Sequence, residues 1–132
     1  MEKTRRDLKW LKPKREYQYE NPNPKALDTF PNPGVEEVAL TCKEFTSLCP
    51  ITGQPDYAHF KVTYAPINSC LESKSLKLYL GAYRQYRGFA EQITEKICSD
   101  LWKVLKPDKL IVGGHFSSRG GIEIETLSSR RL

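Results

Sequence analysis

An apolar stripe in the second half of the chain constrains the fold most, because it fixes one long helix and its end. The stripe recurs at every fourth position: Phe89, Ile93, Ile97, Leu101 and Leu105. One face of an amphipathic helix has this spacing, and Pro107 stops the helix directly after the stripe. A shorter apolar set at helical spacing, between Leu76 and Tyr83, predicts another helix just before it.

Two predicted strands lie on each side of the helix pair. Residues 57–64 alternate between apolar and polar side chains, which is typical of a strand with one buried face. Residues 35–42 alternate less regularly and predict the first strand. Residues 109–116 and 122–127 predict the last two strands, and Ser-Arg-Gly-Gly at 118–121 makes the turn between them.

The order of elements is therefore β-β-α-α-β-β, in the α+β class. Two helices can cover one face of a four-stranded, mainly antiparallel sheet. The other face and both edges of the sheet then need an explanation, since exposed edges invite pairing with another chain.

Length and charge divide the chain into an arm and one domain. A chain of 132 residues predicts one domain with one core, which we place at 34–132. Residues 1–33 form a basic, proline-rich arm, and its part from residue 21 onward is interpreted as an extended linker or a surface-hugging segment. A basic arm can contact phosphates, but we favour a solvated tail, so direct nucleic-acid binding is not expected.

The sequence also predicts a cytoplasmic protein without a metal. No apolar run approaches the ~20 residues that a membrane-spanning helix needs, and the N-terminus has no apolar signal segment. Four cysteines lack the paired spacing of a zinc site and are predicted to be reduced thiols: Cys42, Cys49, Cys70 and Cys98.

The segment around Cys49 carries the chemistry. It reads Cys-Pro-Ile-Thr-Gly-Gln-Pro-Asp over residues 49–56. Gly53 permits a tight reversal between the two prolines, so the chain can fold back and hold Asp56 near Cys49. A thiol beside a proton donor is the minimum needed for covalent catalysis. The alternative is a buried structural cysteine before an ordinary loop.

Two further segments complete a family pattern. Residues 72–80 read Glu-Ser-Lys-Ser-Leu-Lys-Leu-Tyr-Leu, and residues 118–121 read Ser-Arg-Gly-Gly. Together with the cysteine loop, and in the same order, they resemble the 7-cyano-7-deazaguanine reductases, the nitrile reductases of queuosine biosynthesis. The resemblance covers about residues 36–127. It implies a tunnelling fold whose subunits join edge to edge into ring barrels, with active sites at subunit boundaries.

The resemblance also implies roles for individual residues. Cys49 would form a thioimide with the nitrile, and Asp56 would deliver a proton. The substrate base would be bound by Leu71, Glu72, Ser73, Ala90 and Glu91. NADPH would be bound by Ser73, Lys74, Arg119 and Gly120. Lys77 lies one helical turn from Lys74, so both can face one phosphate-bearing ligand. The chain has no Gly-x-Gly-x-x-Gly fingerprint, so a Rossmann cofactor site is not expected.

Position 90 departs from the family. Histidine usually precedes the base-binding glutamate, and Ala90 stands there in this chain. Three interpretations stay open: water replaces the imidazole, the chain is an engineered or weakened variant, or the chemistry has diverged. Two other functions also stay open: an amidinotransferase of the same fold that acts on the nitrile base in tRNA, and a non-catalytic purine- or pterin-binding protein.

Overall fold

The computed structural model describes residues 20–132, which form a sheet with two helices on one face. The elements are a 3-10 turn (Pro24–Ala26), β1 (Thr29–Pro31), β2 (Val38–Leu48), β3 (Pro55–Ala65), β4 (Ser69–Leu71), α1 (Ser73–Gly81), α2 (Ala90–Leu105), β5 (Lys109–Arg119) and β6 (Ile122–Arg131). The main sheet is antiparallel, in the order β2-β3-β5-β6, and a separate small sheet pairs β1 with β4. The predicted β-β-α-α-β-β series is confirmed, with β1 and β4 added to it.

The alternation predicted for the third strand is present in the fold. Ala58, Phe60, Val62 and Tyr64 of β3 are buried beneath the helices. His59 and Lys61, between them, are exposed on the uncovered face of the sheet. Because successive side chains of a strand point to opposite faces, this pattern alone orients β3.

The first long strand differs from its prediction. It runs from Val38 to Leu48 rather than over 35–42, and its pairing with β3 shifts between Cys42 and Phe45. Before the shift the even-numbered residues are the more buried ones, whereas after it Phe45 and Ser47 are buried. A β-bulge inserts extra residues and breaks the period of two, so the alternation cannot be followed through it. The strand consequently ends directly before Cys49.

Part of the predicted arm packs on the domain. Leu27 is only 7% exposed and joins the core. Thr29 pairs with Leu71 in the small sheet, and the Asp28 backbone N–H donates to Ser75 Oγ at 2.9 Å. Of the two interpretations of this segment, surface contact therefore describes residues 24–31. Residues 1–19, which include most of the basic charge of the arm, lie outside the described residues, and the division of the chain at residue 34 stays a prediction.

A buried polar network joins the two helices. Tyr79 Oη donates to Asp100 Oδ2 at 2.6 Å, and Tyr83 Oη lies 2.8 Å from Tyr79 Oη. Lys96 Nζ donates to the same carboxylate oxygen at 3.0 Å. Burial raises the pKa of both tyrosines far above the ordinary range, so both hydroxyls stay protonated. The network fixes α1 against α2, since each buried polar group has a partner.

The hairpin between the last two strands turns at two glycines. Gly120 has φ +59° and Gly121 has φ +82°. Positive φ at both central positions is the backbone of the tight hairpin turn that follows the twist of the strands. The predicted turn at 118–121 is therefore confirmed, and it holds Arg119 at the open end of the sheet. In the described part of the chain, no helix is long and apolar enough to cross a membrane.

Candidate active site

The Cys49 loop joins β2 to β3 and closes on itself. The Cys49 backbone N–H donates to Gln54 O at 2.8 Å, and the Gly53 N–H donates to Cys49 O at 2.9 Å. Gly53 has φ +73°, a conformation that glycine adopts without strain. Ser47 pairs with Asp56 across the base of the loop. The reversal predicted from the sequence therefore forms, and it brings Asp56 to the cysteine end of the sheet.

Arg119 reaches this loop from the far hairpin. Its Nη1 donates to Asp56 Oδ1 at 2.6 Å, and its Nη2 donates to Gln54 Oε1. The Arg119 side chain is 40% exposed and that of Asp56 is 17% exposed, so solvent and ligands can reach both. Thr46 Oγ1 also donates to Asp56 O at 2.8 Å, which fixes the backbone beneath the carboxylate. Arg119, which was predicted to bind the cofactor, thus lies at the loop that holds Cys49 and Asp56, which were predicted to be catalytic.

The loop stabilises the thiolate form of Cys49. A hydrogen bond from the Thr52 hydroxyl lowers the pKa of Cys49 most, and the backbone N–H groups of Thr52 and Ile51 add to it. Arg119 lowers it further, burial opposes the change, and the resulting pKa is about 6 instead of 9.0. The thiolate, rather than the thiol, is the nucleophile, so a half-buried cysteine in this setting is reactive at neutral pH.

Thr52 and Gln54 were not singled out from the sequence. Both lie inside the loop that the sequence predicted, between the thiol and the carboxylate. A hydroxyl and a side-chain amide within a tight turn can hydrogen-bond polar groups of the same turn, so the position of these residues in the sequence could have identified them.

The start of α2 is attached to the same loop. The Leu48 N–H donates to Tyr86 O at 2.9 Å, and the Gly88 N–H donates to Leu48 O at 3.2 Å. Ala90 and Glu91 follow at once in the first turn of the helix. Glu91 is exposed, and its carboxylate has no hydrogen-bond partner within residues 20–132. It is therefore available to a ligand at the cysteine end of the sheet, whereas Ala90 offers no polar group.

Glu72, the glutamate of the 72–80 segment, has a different environment from Glu91. Glu72 caps α1: its Oε2 accepts from Lys74 N at 2.7 Å and its Oε1 accepts from Ser75 N at 2.8 Å. Leu71 is buried, and its N–H donates to Tyr64 Oη at 2.7 Å. Both Glu72 oxygens thus satisfy helix N–H groups, as an N-cap residue does.

A cavity of about 640 Å³ lies between β2 and α1. Its lining includes Ser73 and Lys77 of the predicted cofactor residues, together with Lys43 and Arg84, whereas Lys74 is exposed outside it. Ligand pockets have volumes of roughly 300–1,000 Å³. Lysine and arginine side chains suit a phosphate-bearing ligand, so this lining fits the phosphates of NADPH.

The candidate residues of one chain form two groups, at opposite ends of the main sheet. Ser47 pairs with Asp56 at one end of the β2–β3 ladder, and Val38 pairs with Tyr64 at the other. Tyr64 Oη contacts Leu71, the start of the second group. The eight steps from residue 56 to residue 64 span about 26 Å at ~3.3 Å per residue. One chain therefore does not bring residues 71–74 to Cys49.

Comparison with known proteins gives one family. The family model for the QueF-like proteins matches residues 55–131. An NADPH-dependent 7-cyano-7-deazaguanine reductase of Helicobacter pylori (strain HPAG1) is 48% identical over 122 residues, covering 90% of this chain and 82% of the relative. The reductase of the same name from Anaeromyxobacter sp. (strain Fw109-5) is 46% identical over 99 residues, covering 73% of this chain and 81% of the relative.

A solved structure gives the same fold. The apo form of the archaeosine synthase QueF-Like matches with a TM-score of 0.69, over 73% of this chain and 94% of that chain, at 22% identity. This likeness concerns the fold alone and confirms the predicted α+β tunnelling fold. The matches of sequence carry the assignment further: this chain belongs to the family of the NADPH-dependent 7-cyano-7-deazaguanine reductases.

Proposed function

We propose that this chain reduces the nitrile of 7-cyano-7-deazaguanine to the aminomethyl base with NADPH. The observation that carries the proposal is the Cys49 loop, which holds a thiolate-forming cysteine and Asp56 at the same end of the sheet. Simple binding of a purine or pterin needs neither group. The names of the relatives support the same reaction.

The first step is covalent addition by Cys49. The thiolate sulfur attacks the nitrile carbon, an S–C bond forms, and one π-bond pair moves onto the nitrogen. Asp56 transfers a proton to that nitrogen, which completes a thioimide. Bound NADPH supplies hydride, two in all for a nitrile to become a primary amine. The loop N–H groups of Ile51 and Thr52, which stabilise the thiolate, also make Cys49 a good leaving group when the thioimide carbon has been reduced.

The base and the cofactor need different parts of the surface. Glu91 has a carboxylate free to accept two parallel donors from the base, N1–H and the exocyclic amine. Leu71, Glu72 and Ser73 contribute to the base pocket mainly through their backbone, because Glu72 is engaged as a helix cap. Lys74 and Lys77 bind cofactor phosphates from one side, and Arg119 with Gly120 binds from the other.

The residues around Cys49 and the residues at the start of α1 come together when copies of the chain assemble. Strands β2 and β6 are the edges of the main sheet in residues 20–132, and an unpaired edge is a template for another strand. We infer that β6 of one copy pairs with β2 of the next and that a ring closes the series. We expect each active site to combine residues of two copies, because one chain does not bring residues 71–74 to Cys49. Cys49 must be reduced to react, so we place the protein in the cytoplasm.

The test is direct turnover. Protein is mixed with 7-cyano-7-deazaguanine and NADPH, and nicotinamide absorbance is followed while the aminomethyl base is identified by mass spectrometry. We expect two NADPH consumed per base, and no turnover with Cys49→Ala. Cys98→Ala, with folding checked by circular dichroism, is the matched cysteine control, because Cys98 is buried in the core. An amidinotransferase would consume no NADPH and would require ammonia, and a binding protein would leave the base unchanged.

A further inference from the structure

Arg119 has more partners than cofactor binding requires. Its guanidinium donates to Asp56 and Gln54, and it also lowers the pKa of Cys49. The pKa of Arg119 is raised first by Cys49 and then by Asp56, so both groups stabilise its charge. One side chain thus interacts with the predicted nucleophile, the predicted acid and the loop between them.

We propose that Arg119 is a positioning residue for the Cys49–Asp56 pair, and that this shared guanidinium couples the charge of Cys49 to cofactor binding. The inference rests on the proposed function and adds to it a second role for a residue assigned only to the cofactor. It also predicts in which state of Cys49 the cofactor binds more tightly.

The hairpin gives Arg119 a fixed position. Arg119 ends β5 and pairs with Ile122, and the two intervening glycines make the tight turn. The planar fork of a guanidinium holds two partners in a set geometry, which the point charge of a lysine does not. Because the side chain is 40% exposed, a phosphate can reach the same group from solvent.

The coupling follows from the charge of the sulfur. When Cys49 bonds to the nitrile carbon, the sulfur loses its negative charge, and Arg119 loses its interaction with that charge. The guanidinium then interacts more strongly with a cofactor phosphate. By linkage the effect is reciprocal, so bound cofactor favours the uncharged sulfur to the same extent. The cofactor phosphate thus binds more tightly when Cys49 has already formed the covalent bond.

The positioning role is tested without base or cofactor. The rate at which iodoacetamide alkylates Cys49 is measured against pH by peptide mass spectrometry. We expect Arg119→Ala to raise the midpoint and Arg119→Lys to restore part of the change. Arg130→Gln is the matched control and should keep the wild-type midpoint, since Arg130 of β6 is ion-paired with Glu95 of α2. Identical midpoints for Arg119→Ala and wild type would overturn the positioning role, whatever the outcome of the turnover assay.

The coupling is tested by a double-mutant cycle with NADP⁺ as the probe. Its dissociation constant is measured by calorimetry at pH 8 for wild type, Cys49→Ala, Arg119→Ala and the double variant. Removing the thiolate should tighten NADP⁺ binding about 2- to 5-fold, the range of a partly exposed charge pair, and only while Arg119 is present. If removing the thiolate tightens NADP⁺ binding equally with and without Arg119, the effect is simple repulsion between the thiolate and the phosphates, and the coupling is overturned. Absence of NADP⁺ binding would overturn the proposed cofactor site and the coupling with it, while the alkylation result still decides the positioning role.

Discussion

Thr52→Val tests how the loop activates Cys49. The Thr52 hydroxyl makes the largest contribution to the lowered pKa of about 6, and valine has nearly the same shape without the hydroxyl. The backbone N–H groups of Ile51 and Thr52 remain, so we expect the midpoint of Cys49 alkylation to rise while staying below the ordinary value. Thr52→Ser keeps the hydroxyl and should keep the wild-type midpoint.

The size of the effect on rate can be worked out from the two pKa values. At pH 7 a thiol of pKa about 6 is roughly 90% ionised, against about 1% at an ordinary pKa of 9.0. The more acidic thiolate is less nucleophilic by roughly 20-fold, given a Brønsted coefficient of ~0.4–0.5 over this difference. The net advantage is therefore only about 4-fold at pH 7 and about 25-fold at pH 6, where the unperturbed thiol is almost fully protonated.

The assay is alkylation with iodoacetamide over pH 4.5 to 9, with the Cys49 peptide quantified by mass spectrometry. Thr63→Val is a second control, because Thr63 lies near the other end of β3. A wild-type midpoint near that of a free thiol would refute the reasoning. So would a Thr52→Val midpoint equal to that of wild type.

Three further substitutions test separate features. Asp56→Asn keeps the shape but has no proton to give, so we expect turnover to fall by about 10²–10⁴-fold in steady-state kinetics, and unchanged turnover would exclude it as the acid. Ala90→His should raise turnover, by up to about 10²-fold if water now substitutes, without changing the KM for NADPH, and equal rates and base affinity would mean that position 90 is silent. Tyr79→Phe removes the buried donor to Asp100 and should lower the free energy of unfolding in urea by ~1–3 kcal/mol; no loss would mean that Lys96 alone satisfies the carboxylate.

The order of the elements and the composition of the Cys49 loop could be predicted from the sequence. The stripe ending at Leu105 predicted α2, and the alternation over 57–64 predicted the buried face of β3, because the helical and strand periods are local properties of the chain. Gly53 between two prolines predicted the reversal before Asp56 for the same reason, since turn chemistry acts over a few residues.

The contacts between distant residues could not be predicted in this way, because they depend on how the strands pair. The bulge before Phe45 interrupts the period that sequence reasoning follows, so the length of β2 was not predictable. Arg119 meets Asp56 across 63 positions of sequence, where no periodicity connects them. The two halves of the candidate site lie at opposite ends of one sheet, because the strand that joins them is extended and carries its ends far apart. The local sequence supplies the chemical groups, whereas strand length and strand pairing set the distances between them.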